Sequence, residues 1–414
     1  MNILFLADIV PFPPNTGIKI RTFNVIEQLH NRGENRVYLF CFNHKILIPT
    51  ADELKRCEDG LKPFCEEVNI FEIPSDANRM TYYARLAASL VQSAPYRVSR
   101  YWSTECVAAI RECLARNRID LVHFDKTEFY AYKEIVGDIP IVCTNHNVES
   151  LLMKQRAKYE INLARRLFAF LQYRRTERYE RLALKSTTAF VTCTDVDRRY
   201  FAEKLGATSR SEVIDNGVDT RKYPRSNAYG SDYVLIIGAQ SKEATANFDA
   251  TWYFIREIWP LIVAAKPEIK LKIVGRDPDQ SIIELQEQHR NIEVLGFVSD
   301  ERELLGAAAA LLVPLRVGGG SRLKILTAMS MGRVVISTSI GAEGIDCTNG
   351  LDSLCANDPQ SFAQHVVHVF SDPERQRSIG SAARRLVENR YDWAIIGRRM
   401  RAFYQELVNE RSTT

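Results

Sequence analysis

No two of the nine cysteines (Cys41, Cys57, Cys65, Cys106, Cys113, Cys143, Cys193, Cys347, Cys355) stand at Cys-x-x-Cys spacing, and several lie in apolar runs such as IVCTN and FVTCT. Without that spacing they read as reduced, mostly buried thiols of a cytoplasmic protein. No apolar run approaches the roughly 20 residues that a membrane span needs; the longest, LLGAAAALLVPL, covers 304–315. The opening MNILFLADIVPFPP has no basic leader, and Asp8 interrupts its apolar run after five residues, too short for the core of a signal peptide. A protein that neither spans a membrane nor is exported by a visible signal is expected. A large excess of one charge is missing as well: the net charge of +4 is too small to argue for nucleic acid, and no recognised nucleic-acid-binding motif is present.

What is there points to two α/β domains. A chain of 414 residues exceeds one ordinary core. Its 46% hydrophobic and 26% charged content are those of a soluble globular protein. Short β-branched runs (NILFLAD, RVYLFCF, EVNIFEI, DLVHFD, IPIVCTN, TAFVTCT, then YVLIIG, LKIVG, IEVLGF, ALLVPL, RVVIST) alternate with longer amphipathic stretches. That rhythm marks parallel sheets covered on both faces. The polar segment IDNGVDTRKYPRSNAYGSD, 214–232, is the best linker candidate. The expected division is 1–212 and 213–394, with a terminal helix, 395–414, packing back on the first domain. Two such Rossmann-like halves, facing each other, would form a cleft lined by the loops at the carboxyl ends of their strands.

The stretch LLVPLRVGGGSRLKILTAMSMGRVVIST, 311–338, carries the strongest chemical signal. A buried strand leads through three glycines into a helical run in which Leu323, Leu326 and Met329 recur at helical spacing, and Gly332 closes that helix. Such a loop offers backbone N–H groups and a positive helix end, and Arg322 and Lys324 add two cations: a site suited to a diphosphate. It is neither a Walker loop, since no GK[ST] follows, nor a GxGxxG at a first strand. The plainer alternative is a glycine-rich turn with two solvated basic residues.

The run GGGSRLKIL-x-AM-x-MGRVVIST-x-IGAEGI resembles the donor-binding segment of retaining GT-B glycosyltransferases of glycosyltransferase family 4, in the branch that makes surface polysaccharides. Further pieces follow in the family's order: PFPPNTGIKIRTFNVIEQL, TNHNVESLL, VIDNGVD, ANFDATWYFIREIWP, IVGRDP and YDWAIIGRRM. The resemblance implies an α/β GT-B fold and a donor diphosphate held by Gly318, Gly319, Gly320, Ser321, Arg322 and Lys324. It puts the donor base near Phe297 and Val298 and nominates Gly17 on the donor side, with Lys19 and Arg21 towards the acceptor. His146 matches the family histidine that touches the transferred sugar, through a neutral imidazole; taken alone, such a histidine is more often structural. Arg322, Lys324 and His146 are the catalytic candidates. Where family members commonly carry E-x7-E, this chain has Gly319 and Thr327, and loss of the second glutamate bears on the hold over the ribose.

No cofactor and no metal are expected, the donor being a nucleotide diphosphate sugar. Two D-x-D matches, Asp195/Asp197 and Asp277/Asp279, read as chance, because the two-lobed layout speaks against a metal-using GT-A enzyme. Between Leu151 and Lys185 ten Lys/Arg stand against three Glu, with Leu163, Leu167, Phe168, Phe170 and Leu171 among them. This is either an interfacial helix that docks on anionic lipid, in keeping with a lipid-linked acceptor and a peripheral place on the inner face of the membrane, or a solvated helix face. Two other readings stay open beside a transferase acting on a saccharide or lipid-linked saccharide: a GT-B nucleotide-sugar epimerase, and a non-catalytic nucleotide-sugar-binding partner of another transferase.

Overall fold

The computed structural model describes residues 1–76, 78–160, 162–228, 231–318 and 321–412. The chain divides into two compact units, Met1–Ile214 with Gly397–Thr414, and Asp215–Ile396. The first holds seven parallel strands: β1 (Asn2–Ala7), β2 (Arg36–Asn43), β3 (Glu67–Glu72), β4 (Leu121–Phe124), β5 (Ile141–Asn145), β6 (Ala189–Thr192) and β7 (Arg210–Val213), in the order β3-β2-β1-β4-β5-β6-β7. The second holds six: β8 (Tyr233–Ile237), β9 (Lys270–Val274), β10 (Ile292–Gly296), β11 (Ala310–Val313), β12 (Val334–Ser337) and β13 (Leu354–Cys355), in the order β10-β9-β8-β11-β12-β13. This is the expected α/β architecture of two Rossmann-like sheets.

The pleat explains why these strands read as unbroken apolar runs. Successive side chains leave a strand on opposite faces, and both faces are covered. On β8, β11 and β12, Val234, Ile236, Leu312, Val334 and Ile336 pack with Phe254, Trp259 and Phe362. Their neighbours Leu235, Leu311, Val313 and Val335 pack on the other face with Leu326 and Met329 of the helix Leu323–Ser330. Burying each such side chain contributes roughly 1.5–3 kcal/mol.

The polar stretch 214–232 is not a free linker. Val218 N–H donates to Tyr391 O (2.9 Å) and Ser226 N–H to Met331 O (3.0 Å). The buried Arg333 guanidinium donates to Ser226 O (2.8 Å). The segment is tied to the second unit by backbone hydrogen bonds, which leave no trace in a hydrophobic pattern.

The helix Trp393–Ser412 contributes its residues from Gly397 onward to the first unit. There Arg399 donates to Val213 O (2.9 Å) and Arg401 to Gln28 O (2.5 Å). Tyr404, fully buried, shares a 2.7 Å hydrogen bond with His123 Nδ1 of β4, whose ring stacks on Phe5. Tyr404→Phe would strand that ring nitrogen inside the core, at a cost of about 1–3 kcal/mol. Thermal unfolding should show a lower Tm for this variant, and an unchanged Tm would mean that the contact holds nothing.

Candidate functional site: a basic loop at a sheet switch point

In each sheet the strand order reverses once, between β1 and β4 in the first unit and between β8 and β11 in the second. Loops leaving such neighbouring strands diverge at their carboxyl ends, and ligands of open α/β sheets bind there.

In the second unit the exits of β8 and β11 are joined by one side chain. Lys324, at the start of the helix Leu323–Ser330, donates from Nζ to the carbonyl of Ile237 at the end of β8 (2.6 Å). It also donates to Asn247 Oδ1 on the helix Thr245–Tyr253 (3.2 Å). Burial around the ammonium, with the like charge of Arg322 beside it, lowers its pKa to about 7. Arg322 is half-buried; burial lowers its pKa as well, and Glu343 opposes that shift. Gly318 has φ +122°, a backbone angle that side-chain-bearing residues rarely adopt, and the Arg322 guanidinium lies against the space a Cβ would take. Ser321 Oγ accepts from Asn216 Nδ2 (2.7 Å). Gly319 and Gly320 lie outside the described residues. Gly318, Ser321 and Arg322 therefore lie between β11 and the helix Leu323–Ser330, and Lys324 stands in its first turn. One turn on, the Thr327 hydroxyl donates back to Leu323 O (3.0 Å) and is occupied by its own helix. Phe297, 68% exposed, and the half-buried Val298 follow β10, the outer strand of the sheet, two strands from β8.

In the first unit Gly17 opens the helix Gly17–His30, while Lys19 and Arg21 face inward. Both are buried, and Arg21 donates to Ile214 O (2.8 Å), so they support the loop from within rather than stand open at its surface. His146, just after β5, donates from Nε2 to Asp125 Oδ1 (3.1 Å), just after β4. Asp125 Oδ2 accepts from Thr22 Oγ1 (2.7 Å), and His123 Nε2 stands 3.5 Å from Oδ1. Burial disfavours a charged His146, but the Asp125 carboxylate, its hydrogen bond and the Cys193 thiol outweigh it and lift the pKa to about 10. The ring is thus an imidazolium, not the neutral imidazole expected from sequence. Burial opposes ionisation of Asp125 too, and the two histidines hold its carboxyl well below the ordinary range. Asp125 is absent from the candidates that the sequence motifs nominate; its signal is the run HFDK at a strand exit. Beside it Lys126 pairs with Asp8 of the β1 exit (2.6 Å), and Arg97 bridges Glu128 and Glu149 (2.6 Å each).

Three of the four D-x-D aspartates have other work. Asp195 pairs with Arg198 and Arg199, Asp197 takes the Thr194 hydroxyl, and Asp279 pairs with Lys242 (2.9 Å) and caps Ser281 N–H (3.1 Å). The basic stretch forms the helices Glu149–Tyr159 and Leu163–Ser186, which pack together. Leu163 (79% exposed), Leu167 (60%) and Phe170 (50%) lie open beside the exposed Arg165, Arg166 and Arg174, while Phe168 is half-buried. Among the described residues no helix is long and apolar enough to cross a membrane.

The fold is similar to that of HepE from Anabaena, solved in complex with UDP: TM-score 0.67 at 14% identity over 98% of this chain and 100% of that one. The family model of group 1 glycosyl transferases matches residues 232–372, and that of glycosyltransferase family 4 matches residues 16–222. The chain belongs to the GT-B glycosyltransferases. A Klebsiella pneumoniae relative, an uncharacterised 44.6 kDa protein in the cps region, is 27% identical to this glycosyltransferase over 94% of its chain and 96% of the relative. A GDP-mannose-dependent monoacylated alpha-(1-6)-phosphatidylinositol monomannoside mannosyltransferase from Corynebacterium glutamicum is 26% identical over 51% of each chain. The glycosyltransferase thus spans about half the length of that second relative.

The His146–Asp125 pair sets a pH signature for the glycosyltransferase. His146 has a folded pKa above its unfolded value, so its stabilisation is complete below about pH 6.5 and is lost as pH rises towards 10. For Asp125, depressed in the fold, the share is lost as pH falls below about 4. In Asp125→Asn the burial remains, opposed by the Cys193 thiol alone, and the His146 ring signal, followed by NMR, should titrate well below its wild-type value. A wild-type His146 that titrates below pH 7 would overturn this assignment.

Proposed function

We propose that this glycosyltransferase moves a hexosyl group, with retention and without a metal, from a nucleotide diphosphate sugar to a saccharide or lipid-linked saccharide acceptor in surface-polysaccharide synthesis. The observation that carries the donor reading is the pair Arg322 and Lys324 at the β8/β11 switch point, following Gly318, whose backbone angle side-chain-bearing residues rarely adopt. UDP and UDP-glucose complexes of the HepE structure support the same ligand class. Retention rests on the GGGSRLK resemblance, as does the pathway, with which the cps-region relative is in keeping.

In this reading negative charge gathers on the leaving diphosphate as the C1–O bond breaks, and Arg322 with Lys324 meets it. Losing one such preorganised cation costs about 3 kcal/mol in the transition state, on the order of a hundredfold in kcat. His146 acts on the sugar, and as an imidazolium it would do so as a charged donor. A second reading, a nucleotide-sugar-binding partner without turnover, is favoured by one observation: the Thr327 hydroxyl spends its proton on Leu323 O and leaves only a neutral acceptor for a ribose, where family members commonly carry a carboxylate. The apolar and basic residues from Leu163 to Arg174 would hold the enzyme on anionic lipid, near a lipid-linked acceptor.

Thermal unfolding against UDP-, GDP-, ADP- and dTDP-sugars tests the donor site. One nucleotide class at 100 times its Kd should stabilise the wild type by about 2.7 kcal/mol and leave Arg322→Ala unmoved. No shift with any of them would remove the donor reading. Vesicles test the lipid contact: the wild type should sediment with phosphatidylglycerol but not phosphatidylcholine, and Leu167→Asp/Phe170→Asp with neither. Equal sedimentation of both proteins would leave the helix as a solvated face.

A further inference from the structure

The surroundings of Lys324 say more about that site than that it is basic. Its two hydrogen-bond partners, Ile237 O and Asn247 Oδ1, are neutral acceptors on β8 and the helix Thr245–Tyr253. Two acceptors match the two N–H bonds of an uncharged amine, whose nitrogen then keeps a lone pair. Among the described residues no carboxylate pairs with Lys324. The charged group that acts on it is Arg322, of its own sign, while the carboxylate of Glu343 acts on Arg322. An ammonium held against neutral oxygens and next to a guanidinium is poorly compensated, and such a lysine gives up its proton readily. The residue is nevertheless not sealed, since part of its surface stays open on the loop.

Resting on the donor reading above, we propose that the nucleotide diphosphate sugar binds together with a proton, which the Lys324 amine takes from solvent. The atoms balance simply: the lone pair of Nζ accepts one proton as the phosphate anion arrives, the two existing hydrogen bonds persist, and the third N–H turns to a phosphate oxygen. The pKa of about 7 in the free protein agrees with this picture, because the incoming anion raises it. The sign of the pH effect follows. Affinity is complete below the free-state value and declines as pH rises through it, about tenfold per pH unit, until the bound-state value is reached. The phosphates of a nucleotide sugar are both diesterified, so the ligand itself does not titrate in this range.

Isothermal titration calorimetry with UDP-glucose, GDP-mannose, ADP-glucose and dTDP-glucose, each in buffers of different ionisation enthalpy, counts the protons exchanged. For the nucleotide class that binds, uptake should rise from near zero at pH 6 towards one proton at pH 8. Lys324→Arg, permanently charged, should bind with no uptake. Binding without proton exchange at pH 8 overturns this inference and leaves the donor site standing, as does uptake undiminished in Lys324→Arg. Absence of binding by all four ligands, in protein with an unchanged circular dichroism spectrum, overturns the donor site and the inference together.

Discussion

A parallel sheet forces the chain to return across one of its faces between successive strands, and in doing so it covers both faces. Most of this protein follows from that constraint. Every strand interior must be apolar on both sides, as Leu235 and Ile236 are on opposite faces of β8. Polar chemistry is pushed to the carboxyl ends, and neighbouring loops diverge where the returns change direction. Both sheets obey it: Asp125, Lys126 and Asp8 gather at the β1/β4 reversal, and Lys324 bridges to β8 at the β8/β11 reversal.

Charges placed at such ends are partly stripped of water, and each unit compensates differently. In the first, opposite charges stand within hydrogen-bonding reach of one another: Asp125 with His146, Lys126 with Asp8, Arg97 with Glu128 and Glu149. A buried charge is tolerable when paired and hydrogen-bonded, and the His146–Asp125 contact favours the charged form of both its groups. In the second, Lys324 meets neutral oxygens and a neighbouring cation, so burial acts on its proton instead. The first arrangement holds a fixed geometry. The second suits a loop awaiting an anion.

Elements whose signal is local are legible in the residue order. Runs such as YVLIIG and ALLVPL read as strands because they are short, apolar throughout and bounded by glycine or proline, as a doubly covered sheet needs, and GGGSRLK announces a glycine-bearing loop with two cations. Elements whose signal depends on partners are not legible in this way. The stretch 214–232 has the composition of an unattached segment, since its ties to Tyr391, Met331 and Arg333 run through backbone groups. Lys19 and Arg21 have the character of surface cations on an exit loop, yet the helix Gly17–His30 turns them inward.

By itself the sequence determined the fold class, the position of the basic loop and the apolar and basic character of 151–185, because periodicity, glycine spacing and composition act over short distances. Only the tertiary structure decided protonation. Whether His146 holds its proton and Lys324 gives its own up near pH 7 depends on Asp125, 21 residues away, and on Ile237 and Asn247, 87 and 77 residues away. The energy of a charge is set by the atoms folded around it, and chain order does not record which those are.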